Sequence, residues 1–193
     1  MVNFIMQRYH KRGPVVIVDV PNAIASTSGT SSFSAQCVVV GVNVAVDSAL
    51  ANPDRSVGII THYTASKKLL TDCLEAKCRD LVRSSQTYKA SIVEKIAVYT
   101  TDGVQGKEFD IVVGVTAVEG PNSFGWERRR LCVFLTRMRI AFFLVCKSYE
   151  ILSFPNKNNP MVRVVLWAGP ERTFSADRKF FANNMESFNS IQF

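Results

Sequence analysis

The chain has 193 residues, 47% of them apolar, and 23 Lys and Arg against 16 Asp and Glu leave a formal net charge of +7. One domain with a sizeable core is expected and disorder is excluded; the basic surplus suits a polyanionic partner, and equally a surface kept basic for solubility. The longest apolar runs, such as Ile140 to Cys146, fall far short of the ~20 residues of a spanning helix, and residues 1–13 lack the apolar core of a signal peptide, so no membrane partner is indicated.

Val15 to Val18 reads as a short buried strand ending at Asp19, with Pro21-Asn22 as a turn. Ser26 to Ser34, rich in Ser, Thr and Gly, reads as a surface loop. Cys37 to Leu50 is open between two readings: its valines favour a strand, and its length allows a buried helix. Asn52-Pro53-Asp54 breaks the chain before a second strand, Val57 to Ile60. Thr64 to Val82 is the clearest helix, with Leu69, Leu70, Cys73, Leu74, Cys78, Leu81 and Val82 on one apolar face. A polar link leads to a third strand, Ile96 to Tyr99, and a fourth, Ile111 to Val118. Gly120-Pro121-Asn122-Ser123 is a loop. Leu131, Phe134, Leu135 and Met138 recur at helical spacing, so the arginine-rich segment reads as a helix, on which Arg130 and Arg137 share one face. Ala141 to Cys146 is a fifth strand, and Val162 to Trp167 a further short one.

Strands alternating with helices predict an α/β domain with a mostly parallel sheet and helices on both faces, its ligands at one sheet edge. The expected division is an N-terminal extension over 1–13, the compact domain over 14–154, and a C-terminal extension over 155–193 that is either a small extra layer or poorly ordered. The five cysteines are odd in number and show no C-x-x-C spacing, which indicates neither a disulfide framework nor a zinc site. A reducing, intracellular setting, cytoplasmic or nuclear, is the simplest reading, and no metal ligand set is assigned.

Two segments carry the chemistry. Thr100-Thr101-Asp102-Gly103-Val104-Gln105-Gly106-Lys107-Glu108-Phe109-Asp110 leaves a β-rich run and turns at a glycine-polar-glycine step, where backbone can approach a phosphate or sugar. Arg128-Arg129-Arg130-Leu131-Cys132-Val133-Phe134-Leu135-Thr136-Arg137-Met138-Arg139 then brings guanidinium forks suited to phosphate oxygens. Taken singly, the first is also what an ordinary turn between strands looks like, and the second a solvated basic helix face. In this order they resemble T-V-D-x-F-Q-G-x-E-x-D and R-R-L-N-V-A-L-T-R-A-R of the Upf-like superfamily-one helicases. Ile59-Ile60-Thr61-His62-Tyr63 is similar to that group's I-T-P-Y step, with His62 where proline is usual. Cys132, Phe134, Met138 and Val104 depart from the pattern, standing for Asn, two alanines and an aromatic.

The resemblance runs from about Pro14 to Ser148 and implies the second RecA-like domain of such a helicase. It also implies a helix over Cys37 to Leu50. Arg137 and Arg130 are then the catalytic arginines at the transferring phosphate, Arg137 as the finger. Gln105, Gly106 and Glu108 face the nucleotide, and Thr61, Tyr63, Thr100 and Asp102 lie toward the nucleic acid. ATP with Mg²⁺ is the implied cofactor, and single-stranded RNA or DNA the implied partner. No G-x-x-x-x-G-K-[ST] phosphate loop occurs in these residues, and Asp19 has no second carboxylate after it. ATP hydrolysis therefore implies a first RecA-like domain from a preceding part of the protein or another chain; by itself this chain is expected to be inactive. The alternative is a non-catalytic, divergent helicase-like module that binds nucleic acid or a protein.

Overall fold

The structure, a computed structural model, describes residues 13–117, 120 and 123–176. Residues 1–12, the tail over 177–193, Val118 of the expected fourth strand and Pro121-Asn122 of the expected loop lie outside the described residues. In chain order the elements are β1 (Val15–Asp19), β2 (Ser26–Ser28), β3 (Ser31–Phe33), α1 (Ala35–Ala51), β4 (Val57–Thr61), α2 (Thr64–Arg83), α3 (Thr87–Val93), β5 (Ala97–Thr100) and β6 (Phe109–Val115). There follow a 3-10 turn (Phe124–Trp126), α4 (Arg128–Leu135), β7 (Met138–Cys146), α5 (Ser148–Leu152), α6 (Pro160–Ala168), a second 3-10 turn (Pro170–Arg172) and β8 (Thr173–Ser175).

Six strands form one sheet in the order β5-β4-β6-β7-β1-β8, and every neighbouring pair is parallel. Alternation along the strands sorts the core onto two faces. Val16, Val18, Ile59, Val113, Phe143 and Val145 meet α1, α2 and α3 on one face. Ile17, Ile60, Val112, Phe142 and Leu144 meet α4, α5 and α6 on the other. The expected architecture, an α/β RecA-like sheet with helices on both faces, is what the chain adopts.

Cys37 to Leu50 lies within a helix, although valines disfavour one; burial against the sheet outweighs the propensity. That helix approaches closely because Gly41 lacks a side chain: a Cβ there would stand 2.5 Å from Val115 Cγ2. Several expectations fail. Ser26 to Ser34 is not a loop but the hairpin β2–β3, turned at Gly29 (φ 59°) and tied to α2 by Ala65 N–H to Ser31 Oγ, 3.0 Å, and Ser66 Oγ–H to Ser32 O, 3.1 Å. The polar link before β5 holds α3, which buries Ala90, Ile92 and Val93. Val162 to Trp167 is helix rather than strand: Asn159 Oδ1 accepts from Met161 N–H, Pro160 opens the first turn, and Met161, Val162, Val165 and Ala168 are buried. The sheet also continues past residue 154, because β8 pairs with β1, Ile17 lying against Thr173. On α2, Val82 of the expected apolar face is 55% exposed, while Leu70, Cys73 and Leu74 are buried.

The five cysteines are free thiols. Burial pushes Cys37 and Cys73 up to about 12 and Cys146 well above its ordinary value, whereas Cys132 is exposed on α4. A thiol-disulfide reagent at neutral pH is therefore expected to modify Cys132 in the native protein and to reach Cys37, Cys73 and Cys146 only on unfolding. Rapid native-state labelling of Cys146, mapped by mass spectrometry, would contradict this.

Candidate functional site

β4 and β5 end side by side, Thr61 against Thr100, so the segments that follow them meet at the carboxyl edge of the sheet. Thr61 was expected toward nucleic acid, but it is fully buried, because β4 is an interior strand with every residue covered. Its carbonyl accepts from Thr101 N–H at 2.8 Å and Thr101 Oγ1–H at 3.2 Å. A hydroxyl has one proton, so with that proton on Thr61, His62 Nδ1–H donates to Thr101 Oγ1 across 3.0 Å. The His62 ring is 4% exposed, lies 4.5 Å from the Phe134 ring, and keeps Nε2 without a hydrogen-bond partner among the described residues. Burial, and then the Arg130 charge, lower its pKa to about 4, so the ring is neutral at neutral pH.

Tyr63, at the start of α2, places its ring 6.1 Å from that of Phe124, which is 48% exposed. Thr100 Oγ1 accepts from Gly103 N–H, 3.2 Å, which shapes the turn that presents Asp102. Arg130 Nε donates to Asp102 Oδ1 at 3.2 Å, its other arm pairs with Glu127, and its guanidinium carbon stands 3.4 Å from the Phe124 ring centre. A cleft of about 380 Å³ opens here, lined by Thr30, Ser31, His62, Tyr63, Thr100, Asp102 and Phe124. Two rings, one of them faced by a guanidinium, leave an aromatic surface at the carboxyl edge. Sequence reasoning missed Phe124 and Trp126; the available signal was a Phe-Gly-Trp step between a strand and the arginine segment.

The other expected residues lie at the opposite edge. The chain descends from β5 to the start of β6 through Gln105, Gly106 and Glu108, all exposed, with Gly106 at φ 76° and nothing within 4 Å of the place a Cβ would take. Phe109 N–H donates to Arg137 O at 3.0 Å, so this segment and Arg137 are neighbours at the amino edge. Arg137 is not on a helix, and it shares no helical face with Arg130. α4 ends at Leu135, and Met138, expected on the helix, opens β7 by pairing with Phe109. The helix runs antiparallel to the strands and carries Arg130 at the carboxyl edge and Arg137 beyond its other end. There Arg137 donates to Val133 O at 3.3 Å and to Thr136 Oγ1 at 3.4 Å, while Glu108 pairs with Arg139 at 3.3 Å.

Other acidic residues of the motifs are structural. Asp110 Oδ2 accepts from Ser56 N–H at 3.0 Å and Ser56 Oγ–H at 3.1 Å, and the backbone N–H of Ser56 holds its pKa below the usual range. Asp19 Oδ1 accepts from Ser148 N–H at 2.8 Å. The residues present do not by themselves fit ATP with Mg²⁺. The amino edge offers a guanidinium, an amide and a carboxylate already paired with Arg139, with no phosphate loop to cradle the terminal phosphates.

A family model described as an AAA domain matches residues 3–149. Among solved structures, the chain is similar to the C-terminal domain of a possible DNA helicase from Lactobacillus plantarum WCFS1, at 16% identity and a TM-score of 0.43, covering 84% of each chain. No curated protein matches the sequence. Among the described residues no helix is long and apolar enough to cross a membrane.

Proposed function

Since the chain belongs to the AAA-domain family, we propose that it is the second RecA-like domain of a Upf-like superfamily-one helicase, which holds a single strand of RNA or DNA at its carboxyl edge and meets a nucleotide at its amino edge. One observation carries this reading: α4 links the two edges, with Arg130 bound into the Tyr63–Phe124 cleft at its start and Arg137 beside the Gln105–Glu108 segment just past its end. In the proposed arrangement a first RecA-like domain holds ATP and Mg²⁺, and Arg137, Gln105 and Glu108 supply the contacts from this side. Tyr63 and Phe124 stack bases, and Asp102 fixes Arg130 rather than touching the strand. Thr61 acts only through its carbonyl, holding Thr101 and hence His62.

The non-catalytic alternative is favoured by one observation: Glu108 is paired with Arg139, and Arg137 with its own helix end. Binding of a labelled single-stranded oligonucleotide, followed by fluorescence anisotropy, tests the reading. Tyr63→Ala and Phe124→Ala are each expected to weaken binding by ~1–3 kcal/mol, the range measured for base–aromatic stacking. ATP hydrolysis by the chain alone is expected at background. When it is joined to a phosphate-loop domain, turnover depends on Arg137 and strand affinity does not. Turnover that survives Arg137→Ala selects the non-catalytic module, and a wild-type chain that binds no strand at low salt sinks both forms.

A further inference from the structure

A second pocket, of about 630 Å³, lies beside the Phe124–Trp126 turn and is lined by Trp126, Arg128, Arg163, Asn156, Asn158 and Asn159. Of the sequence motifs only Arg128, the first residue of the arginine-rich segment, reaches it, and the proposed nucleotide contacts do not use it. Its walls are the first residue of α4, the turn after α5 and the beginning of α6, and no carboxylate lines it. Arg79, Arg83, Arg130 and Arg139 are each paired with an acidic side chain. Arg128 and Arg163 have no ion pair with a described residue.

Two of the three lining amides turn their oxygens to backbone. Asn159 Oδ1 accepts from Met161 N–H at 2.9 Å, and Asn156 Oδ1 accepts from Asn158 N–H at 3.0 Å. Each oxygen already accepts from backbone, while the NH₂ groups of these two side chains donate to no described residue. Two guanidiniums and the amide NH₂ groups, with no carboxylate among the lining residues, make a donor-rich, positively charged pocket, which is complementary to a phosphate group.

The Phe124–Trp126 turn separates this pocket from the stacking cleft, Phe124 lining one and Trp126 the other. A 3-10 turn advances only about 2 Å per residue, so Phe124 and Arg128 stand on adjoining stretches of one surface. We infer that this pocket binds phosphate groups of the single strand as it leaves the Tyr63–Phe124 cleft, with Arg128 and Arg163 as the contacting cations. The inference rests on the strand-binding reading above and adds a site to it.

The test is the salt dependence of binding to a labelled oligouridylate of about 12 nucleotides, within the range one such binding surface covers. It compares the full wild-type chain with an Arg128→Gln/Arg163→Gln variant. Each single-strand phosphate contact contributes ~0.7 to the slope of log K against log salt, so the double variant should lose ~1.4 of that slope and keep its melting temperature. Arg79→Gln/Arg83→Gln, which removes equal charge from α2, should leave the slope at its wild-type value. An unchanged slope in the Arg128/Arg163 variant, with Phe124→Ala still weakening binding, overturns the pocket and leaves the strand-binding reading standing. No binding by the wild-type chain removes both. Inorganic phosphate exchanged for chloride at equal ionic strength separates the two sources of phosphate. Competition seen in wild type and absent from the variant, with slopes alike, identifies a free-phosphate site and overturns the inference.

Discussion

Phe134→Ala is expected to destabilise the domain by about 3–5 kcal/mol, the range for removing a fully buried aromatic ring. The ring fills space that the opposite strand leaves free. A Cβ on Gly114 of β6 would stand 2.6 Å from Phe134 Cζ and 2.7 Å from Phe142 Cζ, both closer than real side chains tolerate. Gly114→Ala should therefore cost ~1–3 kcal/mol by overpacking. The two substitutions are coupled. Without the Phe134 ring, the new methyl keeps only its conflict with Phe142, so the double variant should lose less stability than the sum of the singles, by ~0.5–3 kcal/mol for residues in contact. Urea denaturation of all four proteins measures this. Additivity within ~0.5 kcal/mol would mean that Gly114 does not make room for Phe134.

The second large effect is a loss of stability in mild acid. His62 has a folded pKa of about 4 against an ordinary value of 6.5, because its ring is buried and Arg130 is close. The sign follows from proton binding. Above pH 6.5 the ring is neutral folded or unfolded and contributes nothing to the pH dependence. Between pH 6.5 and 4 the unfolded chain takes up a proton that the folded one refuses, so stability falls as pH falls. Below pH 4 both states are protonated and the loss levels off. The shift corresponds to about 3 kcal/mol. Asp110, whose pKa is lowered, acts in a separate window, since its stability is present above its unfolded value of 3.8 and lost below it. His62→Asn keeps a donor for Thr101 Oγ1 and does not titrate. It should flatten the profile between pH 7 and 4 while leaving the fall below pH 4, and an unflattened profile would show that His62 is not the group responsible.

Strong periodicity made most of the scaffold readable. The β1 and β4 runs are apolar and β-branched, β7 is apolar and aromatic, and α2 buries Leu70, Cys73 and Leu74 at helical spacing, so the α/β order follows from the residues. The failures have two causes, a cap overlooked beside the segment and a partner distant in sequence. Val162 to Trp167 is rich in valine and reads as a strand, but the Asn159 cap and Pro160 start a helix there, while the sheet takes its sixth strand from Thr173–Ser175. Leu131 to Met138 keeps helical spacing, yet Met138 is claimed by pairing with Phe109, which cuts the helix at Leu135 and parts Arg137 from Arg130. The motif residues were findable as a set. Their division between two sheet edges was not, because it depends on where parallel strands begin and end. The aromatic half of the cleft, Phe124, lay in a loop with no periodicity to mark it.

The strand order β5-β4-β6-β7-β1-β8 has a consequence for how the chain is made. Val15 of β1 lies against Phe142, and Ile17 against Thr173, so β1 waits for two strands made more than 100 residues after it before it can be hydrogen-bonded on either side. β4, β5 and β6 pair among themselves and can assemble earlier, while Val15-Val16-Ile17-Val18 stays an unpaired, uncharged, β-branched stretch. Pairings this remote in sequence form slowly, and an apolar strand held open meanwhile is a template for a second chain. During synthesis this makes β1 the strand of the described sheet with most need of a chaperone.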